Sequence, residues 1–178
     1  MALAAEELLG ERIASGIISV KKGYKEKLKN YRDLKKIRII EASHPVPDNK
    51  SLNAAVSLEK LAEGSGEDTL FINLISGGGS ALLCYPFKNA DITISLSDLQ
   101  ITNQALLDCG ADITEINCIR KHISRIKGGR LLELLNPGKC ITLILSDVIG
   151  NRLDTIASGL TTFDQSTYGD AESIINKY

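Results

Sequence analysis

Residues 76–80 carry the strongest chemical signal in the sequence, because they read Ser-Gly-Gly-Gly-Ser directly after an apolar run. Three consecutive glycines remove every Cβ from the turn, so the main chain can adopt positive φ and a ligand can approach its N–H groups. Ser80 is expected to cap a following helix whose N-terminus faces the same ligand. Strand, glycine turn and helix start together predict an anion site formed by Ser76, Gly77, Gly78, Gly79 and Ser80.

The glycine turn does not match the better-known loops of this kind. No Gly-Lys-Ser/Thr follows the glycines, as a Walker A loop requires. Gly77 and Gly79 fit the first two positions of a dinucleotide-binding fingerprint, but Leu82 occupies the third. No glycine follows Ser80 at the spacing of a nucleophile elbow. A tight strand-to-helix turn without a ligand is the structural alternative for these residues.

Charged side chains elsewhere supply the rest of a candidate site. Asp147 follows an apolar strand, where it either caps the next element or serves as a general base or Mg²⁺ ligand.

A helix starting at Thr114 is expected to carry an isoleucine stripe at Ile116, Ile119, Ile123 and Ile126. Helical spacing places Arg120 and Lys127 beside that stripe, within reach of a crevice and a phosphate-bearing ligand. The alternative is a solvated basic face.

Two histidines need separate interpretations. His44 lies in the segment His-Pro-Val-Pro-Asp, whose prolines stiffen the backbone. It either orients a substrate or caps a strand end. His122, on the other flank of the isoleucine stripe, is expected to be structural.

Strands alternate with helices along the chain, which predicts an α/β fold with a mainly parallel sheet. Apolar runs predict strands within residues 12–20, 37–40, 70–75 and 141–145, the last being the cleanest buried strand. Helices are expected over residues 2–9, 48–61, 95–110, 114–126, 130–135 and from 170 onward. Ligands bind outside the carboxyl ends of parallel strands, so the His44 loop, the glycine turn and Asp147 are expected to converge.

Composition narrows the class of protein. A chain of 178 residues with 43% hydrophobic and 24% charged residues suits one globular domain. The net charge of −1 argues against nucleic acid as the main partner. No apolar stretch has the length of a membrane span or the pattern of a signal peptide, so a cytoplasmic location is expected. Four separated cysteines and two histidines do not form a zinc-ligand pattern, and the thiols are expected to be buried apolar groups.

Several motifs occur in an order that resembles the glycerate kinases of the bacterial and animal glycerate 2-kinase type. This family was formerly labelled hydroxypyruvate reductase. The motifs are EASHPVPD at 41–48, LISGGGSALL at 74–83, EIN, RKH and KGGR between 115 and 130, and LSDV and ASG between 145 and 159. The resemblance extends from the first residue to the last.

The resemblance implies transfer of the γ-phosphoryl group of ATP, with Mg²⁺, to D-glycerate in a cleft between two domains. Residues 1–178 would form the larger domain, with a three-layer Rossmann-like fold. It also implies that residues 76–80 hold phosphate or the glycerate carboxylate and that His44 borders the substrate. Asp147 would activate the attacking hydroxyl or position the metal, and Lys127 would neutralise developing charge.

Departures from the family pattern keep a second function open. Family members carry a Gly-Lys-Ala-Ala segment, with an active-site lysine, before the position of Met1, and a second domain beyond Tyr178. The alternative is therefore a non-catalytic binding domain that needs a complementing C-terminal domain or a homo-oligomer for activity. Ser43 and Leu160 replace a usual glycine and proline, and both are expected to be tolerated. A hydroxypyruvate reductase is disfavoured because Leu82 occupies the third fingerprint position.

Overall fold

The computed structural model describes residues 1–27, 34–146 and 148–178. The strands within these residues are β1 (Gly16–Lys21), β2 (Ile37–Ala42), β3 (Leu70–Ser76) and β4 (Lys139–Leu145). The α-helices are α1 (Ala2–Leu9), α2 (Tyr24–Lys27), α3 (Asn49–Glu63), α4 (Gly79–Leu82), α5 (Leu96–Asp108), α6 (Ile113–His122), α7 (Arg130–Leu135) and α8 (Tyr168–Lys177). Short 3₁₀ turns cover Gly10–Arg12, Ile149–Asn151 and Ile156–Ser158.

All strand pairing in the described ranges is parallel. β1 pairs with β2, with Gly16 opposite Ile37, and β3 pairs with β4, with Leu70 opposite Lys139. Parallel strands connected by helices confirm the predicted α/β, Rossmann-like class. Helix α3 connects β2 to β3 and packs against β1 and β2. The two strand pairs remain separate from each other in the described part of the chain.

Two apolar clusters hold the elements together. The larger one joins β3 to α7 through the buried side chains of Phe71, Ile75, Leu131 and Leu135. The smaller one joins α5, α6 and α8. In the ranges that the structure describes, no helix is both long and apolar enough to cross a membrane.

Strand β4 is half-exposed, which contradicts the expectation of a fully buried strand. The side chains of Ile141, Leu143 and Leu145 are 49%, 52% and 64% exposed. An unbroken apolar run is typical of a parallel strand covered on both faces. In the described residues only the opposite face of β4, with Cys140 and Ile144, packs against the larger core.

Two further expectations need correction. Helix α6 ends at His122 rather than near Ile126, because Ser124 leaves the helix to form an antiparallel bridge with Pro86. Cys109 is exposed at the C-cap of α5, so the thiols are not uniformly buried.

Asp48 caps helix α3, at the start of the helix that the sequence predicts over residues 48–61. Its Oδ1 accepts from the N–H groups of Lys50 and Ser51, each at 3.0 Å, and Ser51 Oγ accepts from Asp48 N–H at 2.9 Å. Ser43 Oγ donates to Asp48 Oδ2 at 2.9 Å. The cap therefore fixes both the start of α3 and the loop that carries His44, and Ser43 contributes a hydrogen bond to it.

Replacing Asp48 with alanine is expected to lower the free energy of unfolding by about 1–2 kcal/mol, because two helix N–H groups lose their acceptor. Urea denaturation measures the change. Asp68→Ala, which removes an exposed carboxylate from the turn before β3, is the matched control and should stay within about 0.5 kcal/mol of the wild type. Equal losses in the two variants would contradict the capping role.

Candidate active site

A cavity of about 230 Å³ lies at the carboxyl ends of the strands. The loop after β2 contributes His44, the turn after β3 contributes Gly77, Gly78 and Ser80, and Val148 enters from the segment after β4. The His44 loop, the glycine turn and the segment that follows β4 therefore meet at this cavity. Asp147 lies outside the described residues, and its role stays a prediction.

The glycine turn meets the cavity with its main chain. Gly78 has φ of 79°, and a Cβ at this position would lie 3.1 Å from the His44 imidazole. Glycine is therefore required by conformation and by the close approach of His44. Among the described residues, no acceptor pairs with the N–H groups of Gly77, Gly78 or Gly79. The turn thus offers free donors, as an anion site needs.

Ser80 does not cap helix α4, contrary to expectation. Gly78, in the left-handed conformation, is the N-cap residue, so α4 begins at Gly79 and Ser80 lies inside its single turn. The hydroxyl of Ser80 is instead used by Lys127. A one-turn helix has little macrodipole, and the free N–H groups carry the attraction for an anion.

Lys127 is a buried cation with uncharged partners. Its Nζ donates to the carbonyl oxygen of Ser80 at 2.7 Å and to Ser80 Oγ at 3.0 Å. No carboxylate within the described ranges forms an ion pair with it. Burial lowers the pKa of the Lys127 ammonium to about 8. Lys127 lies in a turn after α6, so the helical spacing that selected it was wrong, although it does line the cavity.

A chain of hydrogen bonds extends from Lys127 into the protein. Ser80 Oγ lies 2.8 Å from Ser158 Oγ, and Ser158 Oγ donates to Asn117 Oδ1 at 2.8 Å. Because the one hydroxyl hydrogen of Ser158 goes to Asn117, Ser80 must donate to Ser158. The Nδ2 of Asn117 is buried and has no partner in the described residues. Asn117 lines the cavity, so this amide is a further free donor.

Ser158 and its neighbour hold an unusual backbone conformation. Ala157 and Ser158 have φ of 52° and 58°, a region that non-glycine residues rarely adopt. A Cβ at Gly79 would lie 3.0 Å from the Ala157 side chain. Asn117 and Ser158 belong to the EIN and ASG motifs, but the sequence alone does not assign either residue to the site. The signal that identifies them is the buried hydrogen bond between Ser158 and Asn117, which lie 41 residues apart in the sequence.

Arg120 is the second cation of the cavity. Its Nε donates to Asn103 Oδ1 at 2.6 Å, and Asn103 itself lines the cavity. Burial lowers the pKa of the Arg120 guanidinium, but an arginine stays charged at neutral pH. The described lining contains no aspartate or glutamate, so its charge is positive.

The other basic residues of this region have structural partners. Lys121 forms a buried ion pair with Asp164 at 3.0 Å. Arg125 pairs with Glu59 at 3.1 Å and lies over the Tyr85 ring. The remaining ones, Arg130 and His122, bind main-chain carbonyl oxygens.

Two predicted site residues lie elsewhere. Ser76 and Gly79 line a neighbouring groove beside β3 rather than this cavity. Leu160 is a buried member of the larger core, in agreement with the expectation that this residue is tolerated. No group of three or more histidine, cysteine, aspartate or glutamate side chains in the described part of the chain is arranged to hold a metal ion.

Replacing Lys127 with methionine is expected to remove a pH-dependent component of stability. The lysine pKa is about 8 in the folded chain against 10.5 for a free side chain, so between these values only the unfolded chain holds the proton. The free energy of unfolding of the wild type should therefore rise, relative to Lys127→Met, by about 3 kcal/mol from pH 7 to pH 10.5.

Urea denaturation over this pH range measures the effect. Lys60→Met, at an exposed position of α3, is the control and should follow the wild-type profile. Parallel profiles for the wild type and Lys127→Met would contradict the buried cation.

The chain is similar to a protein family and to several characterised proteins. Residues 1–178 match the family described as a domain of unknown function, DUF4147. Similar proteins include the D-glycerate 2-kinase of Thermotoga maritima, 41% identical over 178 residues, and the glycerate 2-kinase of Pyrococcus horikoshii, 45% identical over 179 residues. Each alignment covers 100% of this chain but only 40% and 38% of the respective relative.

A solved structure agrees with these matches. The crystal structure of a glycerate kinase from Thermotoga maritima superposes with a TM-score of 0.89 at 41% identity, covering 100% of this chain and 41% of that one. The chain thus spans about two fifths of the length of these relatives. Since the family match extends over every residue, the chain belongs to the DUF4147 family.

Proposed function

We propose that this chain forms the phosphate- and substrate-binding half of a glycerate kinase, which transfers the γ-phosphoryl group of ATP to D-glycerate. The observation that carries the proposal is the buried Lys127 ammonium, in a cavity whose described lining has no carboxylate. A buried charge without an opposite charge is unfavourable, so the ligand that suits this cavity best is an anion. The names of the similar proteins indicate which anions to test.

Each donor of the cavity has a defined task in this proposal. The free N–H groups of Gly77 and Gly78 bind carboxylate or phosphoryl oxygens, and Lys127 neutralises the charge that develops during transfer. Arg120 and the Asn117 amide hold the second end of the substrate. His44 borders the substrate beside Gly78. Phosphoryl transfer depends mainly on positioning and charge stabilisation, which amides and cations supply.

The size of the cavity limits what it holds. Pockets for drug-sized ligands measure about 300–1,000 Å³. A volume of about 230 Å³ suits a three-carbon acid or one phosphoryl group. In this proposal the nucleoside of ATP therefore lies outside the cavity.

Asp147 completes the proposed chemistry. It follows β4 in the sequence, and a carboxylate there would accept the hydroxyl proton of D-glycerate or contribute to Mg²⁺ binding. Mg²⁺ is usually held by substrate phosphates with one or two carboxylates, so a preformed cluster of protein ligands is not needed. In this proposal the chain's own residues bind and orient D-glycerate. The Mg²⁺ ion would enter bound to the phosphates of ATP and would supply positive charge there.

The alternative is a binding domain without turnover of its own. The length of the relatives favours a site completed by a C-terminal domain or by another subunit, because this chain spans only 40% of the Thermotoga maritima protein. Release of ADP from ATP and D-glycerate separates the two functions. Turnover by the 178-residue chain alone would contradict the non-catalytic alternative.

The chain is expected to bind D-glycerate with a dissociation constant of about 1 mM or lower, and Lys127→Met should weaken binding at least tenfold, because one charge-assisted contact contributes about 1.5–3 kcal/mol. Isothermal titration calorimetry measures both. The affinity should fall above pH 8, where Lys127 loses its proton at a pKa of about 8. Lys60→Met should bind as the wild type does. Absence of binding to the folded wild type would contradict the proposal.

Asp147→Asn, in a complete enzyme containing this domain, is expected to lower kcat at least about a hundredfold, the usual scale for a positioned general base. Steady-state ADP release measures kcat. Asp68→Asn, in the exposed turn before β3, is the matched control. A near-wild-type kcat for Asp147→Asn would reduce Asp147 to a capping residue.

A further inference from the structure

Helix α6 forms one wall of the cavity and contributes Asn117 and Arg120 to it. The two residues are three positions apart, so they are neighbours on one face of the helix. Arg120 forms no ion pair with any residue in the described ranges. Both side chains carry N–H groups, so this wall offers donors to a ligand in addition to those of the glycine turn.

The Arg120 guanidinium uses only part of its donor capacity within the described residues. Its Nε donates to Asn103 Oδ1 at 2.6 Å, and neither Nη atom has an acceptor among the residues that the structure describes. The planar fork of an arginine matches the two oxygens of a carboxylate. Because Asn103 occupies Nε, the Nη groups are the donors that remain for a ligand.

Asn103 is fixed in the orientation that Arg120 needs. It is 7% exposed, and its Nδ2 donates to the carbonyl oxygen of Leu99 at 2.8 Å within α5. An asparagine amide has an oxygen at one end and a nitrogen at the other, so this hydrogen bond turns Oδ1 towards Arg120. Asn103 therefore holds the guanidinium in place without neutralising its charge, as a carboxylate would.

Asn117 is oriented in the same way by Ser158. Ser158 Oγ donates to Asn117 Oδ1 at 2.8 Å, so Nδ2 is the end of the amide that lacks a partner in the described residues. A buried N–H donor without an acceptor is unfavourable, and the cavity that Asn117 lines is where a ligand acceptor can reach it. Ser158 thereby ensures that the donor end of the amide is the one available to a ligand.

Arg120 also affects the other cation of the cavity. Burial is the main cause that lowers the pKa of the Lys127 ammonium, and the positive charge of Arg120 lowers it further. The two cations therefore repel each other, and the described lining of the cavity holds no carboxylate that offsets this repulsion. A ligand that brings an anionic group to each cation relieves it.

We propose that Arg120 and Asn117 form a subsite for a carboxylate group, and that Asn103 and Ser158 are its positioning residues. A carboxylate is planar, and its two oxygens match donors that lie side by side, as the Nη groups and the neighbouring amide do. A phosphoryl group is tetrahedral. It suits the N–H groups of the glycine turn and the ammonium of Lys127, which acts as a point charge.

The subsite deepens the proposed function and rests on it for the identity of the acid. The carboxylate of D-glycerate binds to α6, and its hydroxyl groups point towards Lys127 and the glycine turn, where the phosphoryl group arrives. This arrangement selects a short hydroxy acid, because the carbon chain between the carboxylate and the reacting hydroxyl must fit within a cavity of about 230 Å³.

NMR titration of the isotope-labelled 178-residue chain tests the subsite with three probes. These are D-glycerate, glycerol, which lacks the carboxylate, and inorganic phosphate. Glycerol should bind at least about tenfold more weakly than D-glycerate, because it has no charge to pair with Arg120.

Arg120→Lys keeps the charge and removes the planar fork. It should weaken D-glycerate binding at least about tenfold and phosphate binding less than about threefold. Lys127→Met should weaken phosphate binding at least as much as D-glycerate binding. Arg38→Lys, at an exposed position of β2, is the matched control and should bind all three probes as the wild type does.

Asn117→Asp is the second variant of the subsite. It keeps an oxygen for Ser158 but replaces the N–H donor with a negatively charged oxygen, so D-glycerate binding should fall at least about a hundredfold. The Tm should stay at or above the wild-type value, since the new carboxylate lies in a cavity with two cations. Asn53→Asp, which adds the same charge at an exposed position of α3, should bind D-glycerate as the wild type does.

Double-mutant cycles test the two positioning residues. Ser158→Ala should weaken D-glycerate binding about fivefold in the wild type, but less than about twofold in Asn117→Ala, where no amide remains to be oriented. Asn103→Ala should show the same pattern between the wild type and Arg120→Lys. A merely structural role would weaken binding by equal factors in both backgrounds.

Three results would overturn the subsite: glycerol that binds as tightly as D-glycerate, equal losses of D-glycerate and phosphate affinity in Arg120→Lys, or wild-type affinity for D-glycerate in Asn117→Asp. Equal factors in the cycles would overturn the positioning roles. The proposed function fails separately. A complete enzyme containing this domain that binds D-glycerate with the expected pattern among the variants, yet releases no ADP, would contradict the kinase activity and leave the subsite intact.

Discussion

A buried ammonium group without a carboxylate beside it in the described residues is the constraint on which the candidate site depends. Lys127 is held by the uncharged oxygens of Ser80, and burial lowers its pKa to about 8. The free N–H groups of the glycine turn and the Asn117 amide add donors without adding negative charge. The positive charge of Lys127 is therefore not neutralised by the described residues. Binding of an anion would stabilise both the charged lysine and the folded chain.

Short connections from separate elements create this environment. Strand β3 delivers the glycine turn, the Asp48 cap fixes the loop that presents His44, and the strained turn at Ala157 and Ser158 closes the far side. These segments are far apart in the sequence and meet because parallel strands end at one edge. The larger core under β3 supports the turn, so the stability of the site and of the fold are coupled.

The sequence predicts features that are determined locally. The strand before the glycine turn and the starts of the helices near Asp48 and Ser95 all follow from neighbouring residues. The end of α6 was missed because the Ser124 bridge to Pro86 is a tertiary contact. The Ser158–Asn117 pair was missed for the same reason. The exposure of β4 was not predictable from the sequence. The apolar run of β4 is typical of a strand with both faces covered, but it does not indicate what covers each face.

The exposed face of β4 has a practical consequence for handling the chain. Ile141, Leu143 and Leu145 form an apolar row beside the open edges of two strand pairs. Such a surface promotes intermolecular β-pairing and precipitation, particularly during refolding at high concentration. Loss of the chain to aggregation during refolding is therefore expected to increase with its concentration.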